Sequence, residues 1–358
     1  MRALQLLGPS TGGIRVHVAT LAAGLEARGV EAPVVGPAGV LDGLGPQVGV
    51  VPVPAGTSPG GLLRARRSLA SWRETADVIH AHGLKAGWVA VRGRPDRPVV
   101  LTLHNVVLDE AAGRAARAQR LLERAVIRRA DRVIAPTEAI AAGLAGVVAP
   151  GRVRIVVPVS PPPRPALGRA EVRARLGVSD DTPLVLCVAR LHPQKDLVTL
   201  LRAWAAVATR VPRARLVVIG EGPERAALDA LTGQLGIRGS VTLAGFGAHA
   251  VDQIAAADVL VITSVWEAIP LVLAEALQLG VPVVSTRVGM AEQLLGDGTA
   301  GSVVDVGDAP AVAQALVALL ADPAAARLAA RGARDRAREV FDPDSLVEAV
   351  LDVYREVA

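Results

Sequence analysis

The sequence contains little sulfur and few aromatic rings. Its 358 residues include one cysteine, Cys187, and aromatic residues make up 2% of the chain. A lone cysteine inside the apolar run 183–189 predicts a core residue, and it excludes a disulfide framework or a cysteine metal cluster. No aromatic residues interleave with the clustered arginines, which argues against nucleic-acid binding. Because aromatic residues are so few, the core must consist of Ala, Val and Leu, a composition that favours parallel α/β architecture.

Long apolar runs and lysines are also scarce. No stretch approaches eighteen uncharged apolar residues, and residues 1–7 predict a strand too short for a signal peptide's apolar region, so we expect a cytoplasmic protein. Lys85 and Lys195 are the only lysines, and the other 37 basic residues are arginine. This bias is typical of a GC-rich bacterial genome, and it makes each lysine a candidate functional residue.

Arginines cluster along residues 114–129, a segment predicted to form a helix. Leu121, Leu122, Ala125 and Val126 can form an apolar stripe on that helix. A solvated helix face is the favoured interpretation. Contact with an anionic membrane surface is the alternative, and it would place the protein peripherally at the inner face of the membrane.

The chain repeats one strand-and-helix plan twice. Four prolines between Pro161 and Pro165 form a stiff connector and predict a domain boundary, giving domains 1–163 and 164–340. We predict two doubly wound, Rossmann-like domains with a cleft between their strand carboxyl ends. The predicted strands are 2–7, 33–35, 48–53, 77–80, 98–103, 131–135 and 153–157 in the first half, and 184–189, 215–219, 240–243, 259–263, 282–285 and 301–304 in the second.

A nicotinamide or flavin enzyme of similar plan is disfavoured. Such an enzyme needs a glycine-rich turn after the first strand and an acid at the end of the second strand to hold the ribose. The second strand ends at Val35-Gly36-Pro37, without an acid. In the second half Gly220 and Gly222 follow a strand, but the next strand ends at Gly245-Phe246, again without an acid.

Two acids and two cations follow strands of the second half. Glu267 is predicted on the loop after strand 259–263, and Glu275 lies inside the next helix, whose first turn should contain Pro270. Carboxylates suit the hydroxyls of a sugar or ribose, although a helix start also favours acids through its dipole. Arg190 and Lys195 lie on the segment that follows strand 184–189. Their positive charges suit a diphosphate, and the alternative is that they belong to a solvated loop.

Three features of the first half are less specific. Gly12 and Gly13 precede a helix predicted to begin near Val16, and they let backbone amides approach an anion closely, unless they form only a tight turn. His104 follows strand 98–103 and is expected at the cleft lip, or else bonded within the next loop. His80 and His82 follow another predicted strand, so position alone does not choose among the histidines.

Together these motifs resemble the family-4 retaining glycosyltransferases of the GT-B fold. The resemblance extends over essentially the whole chain. It implies a hexosyltransferase-type enzyme that moves a sugar from a nucleotide-diphosphate-sugar to an acceptor hydroxyl. It also implies that residues 341–358 cross back to the first domain. The matching elements are Gly12-Gly13, Thr102-Leu103-His104, 190–195, 220–223, Glu267 with Glu275, and 286–289 with Glu292.

The resemblance implies roles for several of the matched residues. Arg190 and Lys195 hold the donor diphosphate, Glu275 binds the ribose, and Glu267 binds the transferred sugar. His104 contacts that sugar or assists at the reacting centre. The remaining donor-site residues are Gly12 and Gly13 beside the phosphate, Gly245 and Phe246 near the base, and Ala268, Ile269 and Leu271 around the glutamates.

The sequence departs from the family pattern in places. Ala268-Ile269 stands where many members have Gly-Phe, and the side chain on residue 268 narrows backbone approach and bears on which sugar is accepted. Met290 stands where a second glycine is common. No cofactor or metal is expected, because two cations cover the phosphates and the Asp342-Pro343-Asp344 segment predicts a helix cap.

The acceptor, whether glycan, lipid or small molecule, is not indicated by the sequence. Two other functions remain open at this stage. A sugar-nucleotide epimerase can share this two-domain plan, and a catalytically silent sugar-nucleotide-binding protein would bind donor without turning it over.

Overall fold

The computed structural model describes most of the chain. The described residues are 1–10, 12–42, 44, 48–56, 58–92, 96–104, 114–159, 161–245, 250–296, 298 and 300–358, with the backbone alone described for 114–120. They divide into two compact units. Unit 1 comprises Met1–Pro161 and Phe341–Ala358, and unit 2 comprises Pro162–Val340.

Unit 1 is built on a seven-stranded parallel sheet with the order β3-β2-β1-β4-β5-β6-β7. Every strand predicted in this half is present, because Val-, Leu- and Ile-rich runs buried on both faces suit a parallel sheet. The strands are β1 Ala3–Leu7, β2 Val34–Gly36, β3 Val48–Val50, β4 Val78–His82, β5 Val99–Thr102, β6 Arg132–Ala135 and β7 Val153–Ile155. The helices are α1 Gly13–Glu26, α2 Pro59–Glu74, α3 Leu84–Val91, α4 Arg114–Arg129, α5 Glu138–Gly143 and, from the end of the chain, α14 Pro343–Arg355.

Unit 2 is built on a six-stranded parallel sheet with the order β10-β9-β8-β11-β12-β13. Its core surrounds Trp204, whose side chain is fully buried. The strands are β8 Leu184–Val188, β9 Arg215–Ile219, β10 Val241–Gly245, β11 Val259–Ile262, β12 Val283–Thr286 and β13 Gly301–Val304. The helices are α6 Arg169–Arg175, α7 Leu197–Arg210, α8 Arg225–Gln234, α9 Ala250–Ala256, α10 Leu271–Gln278, α11 Ala291–Leu295, α12 Ala309–Ala321 and α13 Pro323–Val340.

The strand order reverses once in each sheet. In unit 1 the reversal falls between β1 and β4, and in unit 2 between β8 and β11. Loops leaving the carboxyl ends of such strand pairs form the usual ligand crevice of an open parallel sheet. The two folds therefore locate one candidate crevice on each unit.

The last helix completes unit 1. The Asp342 carboxylate accepts a hydrogen bond from Ser345 N at 2.8 Å, which confirms the predicted cap. Helix α14 contacts α1 closely, since a Cβ added at Gly24 would lie 2.4 Å from Val347 Cγ2. Tyr354, the only tyrosine of the chain, is fully buried.

Among the described helices, none alone has the length and apolar composition needed to cross a membrane. One pair, Ala309–Ala321 with Pro323–Arg355, satisfies that test jointly but is bent by 103° at the break between them.

Candidate functional site

The loop after β8 in unit 2 lies directly against the loop after β9. Leu191 N donates to Glu221 O at 3.0 Å. A Cβ at Gly220 would lie 1.8 Å from Ala189 O, and one at Gly222 would lie 2.3 Å from Leu191 O. Both positions require glycine because backbone meets backbone there. This contact fixes the path of the segment that leads to Lys195.

Lys195 forms an ion pair with Glu267, so the structure brings together two of the predicted site residues. The same Glu267 oxygen, Oε1, accepts a hydrogen bond from Ser264 Oγ at 2.8 Å. Both charged side chains are partly buried, with 19% and 12% of their surface exposed. They line a small concavity, partly open to solvent, together with Val188, Thr263, Ser264 and Val272.

The loops that carry Lys195 and Glu267 are joined by further hydrogen bonds. Thr263 Oγ1 donates toward Lys195 O and Asp196 O, each at 3.1 Å. Gln194 Nε2 donates to Trp266 O at 2.9 Å, and Val265 N donates to Gln194 O at 2.8 Å. Sequence reasoning missed these residues, although polar side chains directly after the apolar β11 were the available signal. These hydrogen bonds fix the Lys195 ammonium and the Glu267 carboxylate relative to each other.

Asp196 adopts a left-handed backbone conformation with φ 44° at the start of α7. Its carboxylate accepts from Thr199 N at 3.2 Å and Thr199 Oγ1 at 2.6 Å, which caps the helix. Aspartate is among the few residues that tolerate this conformation. The chain turns at Asp196, directly after Lys195, and α7 begins at the next residue, Leu197.

Glu275 lies on α10, one turn beyond Val272, so both occupy the same helix face. Burial raises the pKa of its carboxyl to about 7, and no hydrogen bond or ion pair to it is found among the described residues. Pro270 precedes the helix as its N-cap instead of lying in the first turn as predicted. Between the two glutamates, Ala268 is buried, and a Cβ on Gly289 would lie 2.7 Å from its carbonyl oxygen.

Arg190 is exposed, and within the described part of the chain its guanidinium has no ion pair or hydrogen bond. Ile269 and Leu271 are half-buried beside Ala268. Gly245 ends β10 with φ +78°, and its carbonyl accepts from Gly220 N at 2.8 Å. Phe246, predicted near the base, lies outside the described residues.

In unit 1, α1 begins at Gly13, not near Val16 as predicted. Gly12 is the N-cap with φ +77°, a conformation open to glycine, and this allows the helix to start early. Arg15 N and Val16 N already bond back to Gly12 O, whereas the preceding amides of Gly13 and Ile14 have no such partner in the helix. These amides could hold an anion.

The histidines of unit 1 are buried, which corrects their predicted exposure. His80 and His82 lie inside β4 instead of following it, and His104 is 8% exposed and not a lip residue. His17 of α1 completes the group, with ring centroids 5.4 Å from His104 and 5.9 Å from His82. Sequence reasoning missed His17, because only the fold brings α1 beside the ends of β4 and β5.

Burial governs the charge of these imidazoles. Desolvation lowers the pKa of His17 to about 4 and that of His80 to about 3. It also holds the pKa values of His82 and His104 well below the ordinary range, with neighbouring histidines adding to the effect. All four rings are therefore neutral near pH 7. One ligand nitrogen from each of His17, His82 and His104 lies within 4.8 Å of the others, so these rings could hold a metal ion.

Two doubly wound sheets, each with a candidate crevice at its reversal point, and a lysine held by a carboxylate at one of them are the features expected of a GT-B glycosyltransferase. The comparisons agree. The model for Glycosyl transferases group 1 matches residues 168–336, and that for the Glycosyl transferase 4-like domain matches residues 12–159. The chain belongs to this family and is a nucleotide-sugar-dependent hexosyltransferase.

Similar proteins include a D-inositol 3-phosphate glycosyltransferase of Xylanimonas cellulosilytica, 32% identical over 96% of this chain and 92% of that protein. An alpha-D-kanosaminyltransferase of Streptomyces kanamyceticus is 31% identical over 53% of this chain and 49% of its own length. Among solved structures, Anabaena Alr3699/HepE in complex with UDP-glucose superposes with a TM-score of 0.86 at 21% identity, covering 99% of this chain and 100% of that one. No comparison favours the epimerase.

Proposed function

We propose that the protein transfers a sugar with retention of anomeric configuration, and that unit 2 binds the donor through Arg190, Lys195, Glu267 and Glu275. The observation that carries the proposal is the Lys195–Glu267 pair at the β8/β11 reversal. An ammonium has three donors, so Lys195 can keep Glu267 while it also binds a phosphate oxygen. Glu267 retains a second oxygen for a sugar hydroxyl.

The proposed chemistry places growing negative charge on the departing diphosphate. Lys195, already held in place, and Arg190, still unpaired among the described residues, stabilise that charge. The acceptor hydroxyl attacks the anomeric carbon as the bond to the diphosphate breaks, and the departing phosphate takes the hydroxyl proton. No enzymic nucleophile is assigned. No metal is proposed at the diphosphate, because the two cations fulfil that task. The amides at Gly12 and Gly13 are proposed to border the phosphate, and His104 to contact the sugar.

We propose a uridine diphosphate sugar as donor. The support is the likeness to Alr3699/HepE, whose structure holds UDP-glucose. Glu275, a partly buried carboxyl on the Val272 face of α10, is assigned to the ribose hydroxyls. Ala268 lies between the two glutamates and is assigned to sugar selection, because its methyl group occupies space that glycine would leave open.

A thermal-shift screen of UDP-, GDP-, ADP- and dTDP-sugars tests the donor assignment, since a ligand bound only by the folded state raises its stability. The best donor should no longer raise the melting temperature of Glu275→Ala. It should still raise that of Glu339→Ala, which removes an exposed carboxylate of the same unit. Transfer is then followed as release of nucleotide, and the anomeric configuration of the product by NMR. An inverted product would refute retention, and an unchanged shift in Glu275→Ala would refute the ribose assignment.

The acceptor is proposed to be a hydroxyl compound, with membrane delivery as one route. Helix α4 carries exposed Arg124, Arg128 and Arg129, and Leu121 is 69% exposed. These features suit a peripheral site on the cytoplasmic membrane face. Vesicles with anionic lipid should retain the protein at low salt, and replacing the three arginines by glutamine should release it. Equal binding of the protein to neutral vesicles would contradict this proposal and indicate that α4 is a solvated surface.

A further inference from the structure

Gln5 is the one polar residue of β1, and its side chain is fully buried. Its amide nitrogen donates to Ala3 O at 2.9 Å and to Tyr354 Oη at 3.1 Å. Ala3 O can only accept, so the amide cannot be reversed without two oxygens facing each other. The carbonyl oxygen of Gln5 is therefore fixed on the opposite side, toward His82.

The orientation of Gln5 decides which nitrogen of His82 carries the proton. His82 Nε2 lies 3.0 Å from Gln5 Oε1, and an amide oxygen accepts only, so Nε2 is the N–H. His82 is 2% exposed, and desolvation lowers its pKa well below the ordinary value, which leaves the ring neutral. A neutral imidazole has one proton, so His82 Nδ1 presents a lone pair.

That lone pair faces His104, whose Nε2 lies 3.4 Å from His82 Nδ1. Two unprotonated nitrogens would repel each other in this buried place, whereas a proton on His104 Nε2 makes the contact attractive. Burial keeps His104 neutral as well, with His17 and His80 lowering its pKa further. The remaining nitrogen of His104, Nδ1, is then unprotonated.

We propose that Gln5 and His82 are positioning residues that hold His104 as the Nε2–H tautomer, so that Nδ1 accepts a hydrogen bond from a substrate hydroxyl. The inference rests on the proposed function for the identity of that hydroxyl, which belongs to the transferred sugar or to the acceptor. It excludes His104 Nδ1 as a donor to the departing oxygen. The hydrogen bond made by one ring nitrogen commonly decides which nitrogen of an imidazole carries the proton.

Tyr354, on α14, connects Gln5 to a second set of hydrogen bonds. This second set provides a control. The Tyr354 hydroxyl accepts from Gln5 Nε2 and also forms a hydrogen bond with His80 Nδ1 at 2.7 Å. His80 Nε2 in turn forms a hydrogen bond with Thr102 Oγ1 at 2.6 Å. Thr102→Val removes one buried hydrogen bond from this second set without touching the path from Gln5 to His104.

NMR of the imidazole nitrogens in the full-length protein tests the tautomer directly, with His104→Gln assigning the signals among the six histidines. Wild-type His104 should be neutral and protonated on Nε2 from pH 6 to 8. Gln5→Leu should yield a mixture of tautomers, and Thr102→Val should not. A proton on Nδ1 in the wild type, titration near pH 6.5, or a stoichiometric metal bound by His17, His82 and His104 would overturn the proposal. The wild-type measurement is decisive even if Gln5→Leu fails to fold.

An activity measurement adds the functional consequence. With a donor found by the screen, Gln5→Leu should lower kcat about tenfold, a change typical of a positioning group, while the nucleotide thermal shift stays as in the wild type. Thr102→Val should change kcat less than threefold. Equal kcat in Gln5→Leu and the wild type would contradict the role of Nδ1. Absence of any transfer would refute the proposed function and leave the tautomer result standing.

Discussion

Lys195 is one of two lysines in an arginine-rich chain, and its ammonium is held by Glu267 before any donor binds. A cation fixed in advance loses little freedom when the transition-state charge develops. Replacing Lys195 or Arg190 by Gln should cost about 2–4 kcal/mol in the barrier, roughly a 30- to 800-fold loss of kcat.

The matched control for these cations is Arg202→Gln, which removes an exposed charge from α7. Steady-state rates with the best donor give the comparison. If Arg202→Gln slowed turnover as much as Lys195→Gln, general electrostatic attraction and not contact with the diphosphate would be responsible.

Glu275 makes stability depend on pH. Its folded pKa is raised to about 7, above the ordinary carboxyl value, so the stability it contributes is present at low pH and is lost as pH rises through about 7. Glu275→Gln removes the cost of burying an ionised carboxylate at high pH. The variant should be more stable than the wild type by about 1–2 kcal/mol at pH 8.5, because the carboxylate remains partly exposed, and nearly equal at pH 4.5. Denaturant unfolding at the two pH values measures the difference, and equal gains at both would contradict it.

The sequence predicted the charged residues of unit 2 because each follows an apolar strand, where the fold places its ligand crevice. It did not predict their pairing. Nor did it predict the contacts of Gln5 and His80 with Tyr354. These residues lie 349 and 274 positions from Tyr354 in the sequence and meet it only through packing. A polar residue inside an apolar strand and a solitary tyrosine were the only signals of that network.

Among the elements, α6 is attached to unit 2 by a buried cation. Arg173 is fully buried, and its guanidinium donates to Ser179 O, Thr182 O, Ala256 O and the Asp258 carboxylate. Asp258 Oδ2 also accepts from Leu184 N at 2.8 Å, at the start of β8. Desolvation lowers the pKa of Arg173, and Asp258 opposes that effect.

Arg173→Met should therefore destabilise the protein by about 2–4 kcal/mol, since it removes the donor of the Thr182 carbonyl and one of two cations from Asp258, which keeps Arg169 and Leu184 N. Arg175→Met on the same helix is the control, because that side chain is 59% exposed. Chemical denaturation supplies both values. A similar loss in the two variants would point to helix propensity instead of the buried network.

Element bounds were predicted to within a few residues wherever valine- and leucine-rich runs form buried strands. The errors fall at helix starts. Helix α1 begins at Gly13 because Gly12 takes a positive φ, and Pro270 caps α10 from outside. Composition shows that glycine and proline mark these boundaries, but the dihedral angles they adopt depend on the packed loops.

For the whole molecule, the last eighteen residues are part of unit 1. Leu346, Val347, Val350 and Tyr354 are buried there, and Arg28 pairs with Asp344 and Glu348. Deleting Phe341–Ala358 should lower the melting transition of unit 1 by at least about 10 °C, because several apolar side chains lose their burial. Unit 2 should keep its nucleotide-dependent shift. Calorimetry with and without the best nucleotide separates the two transitions, and an unchanged first transition would contradict the expectation.

The return of α14 to unit 1 also sets an order of events during synthesis. Residues 162–340 of unit 2 must leave the ribosome before Tyr354 can reach Gln5. At roughly 5–20 residues per second, this imposes a wait of about 10–35 s on the first unit. During that time the buried Gln5 of β1 lacks its tyrosine partner and the apolar surface that α14 covers is exposed, so the nascent first unit is open to misfolding contacts.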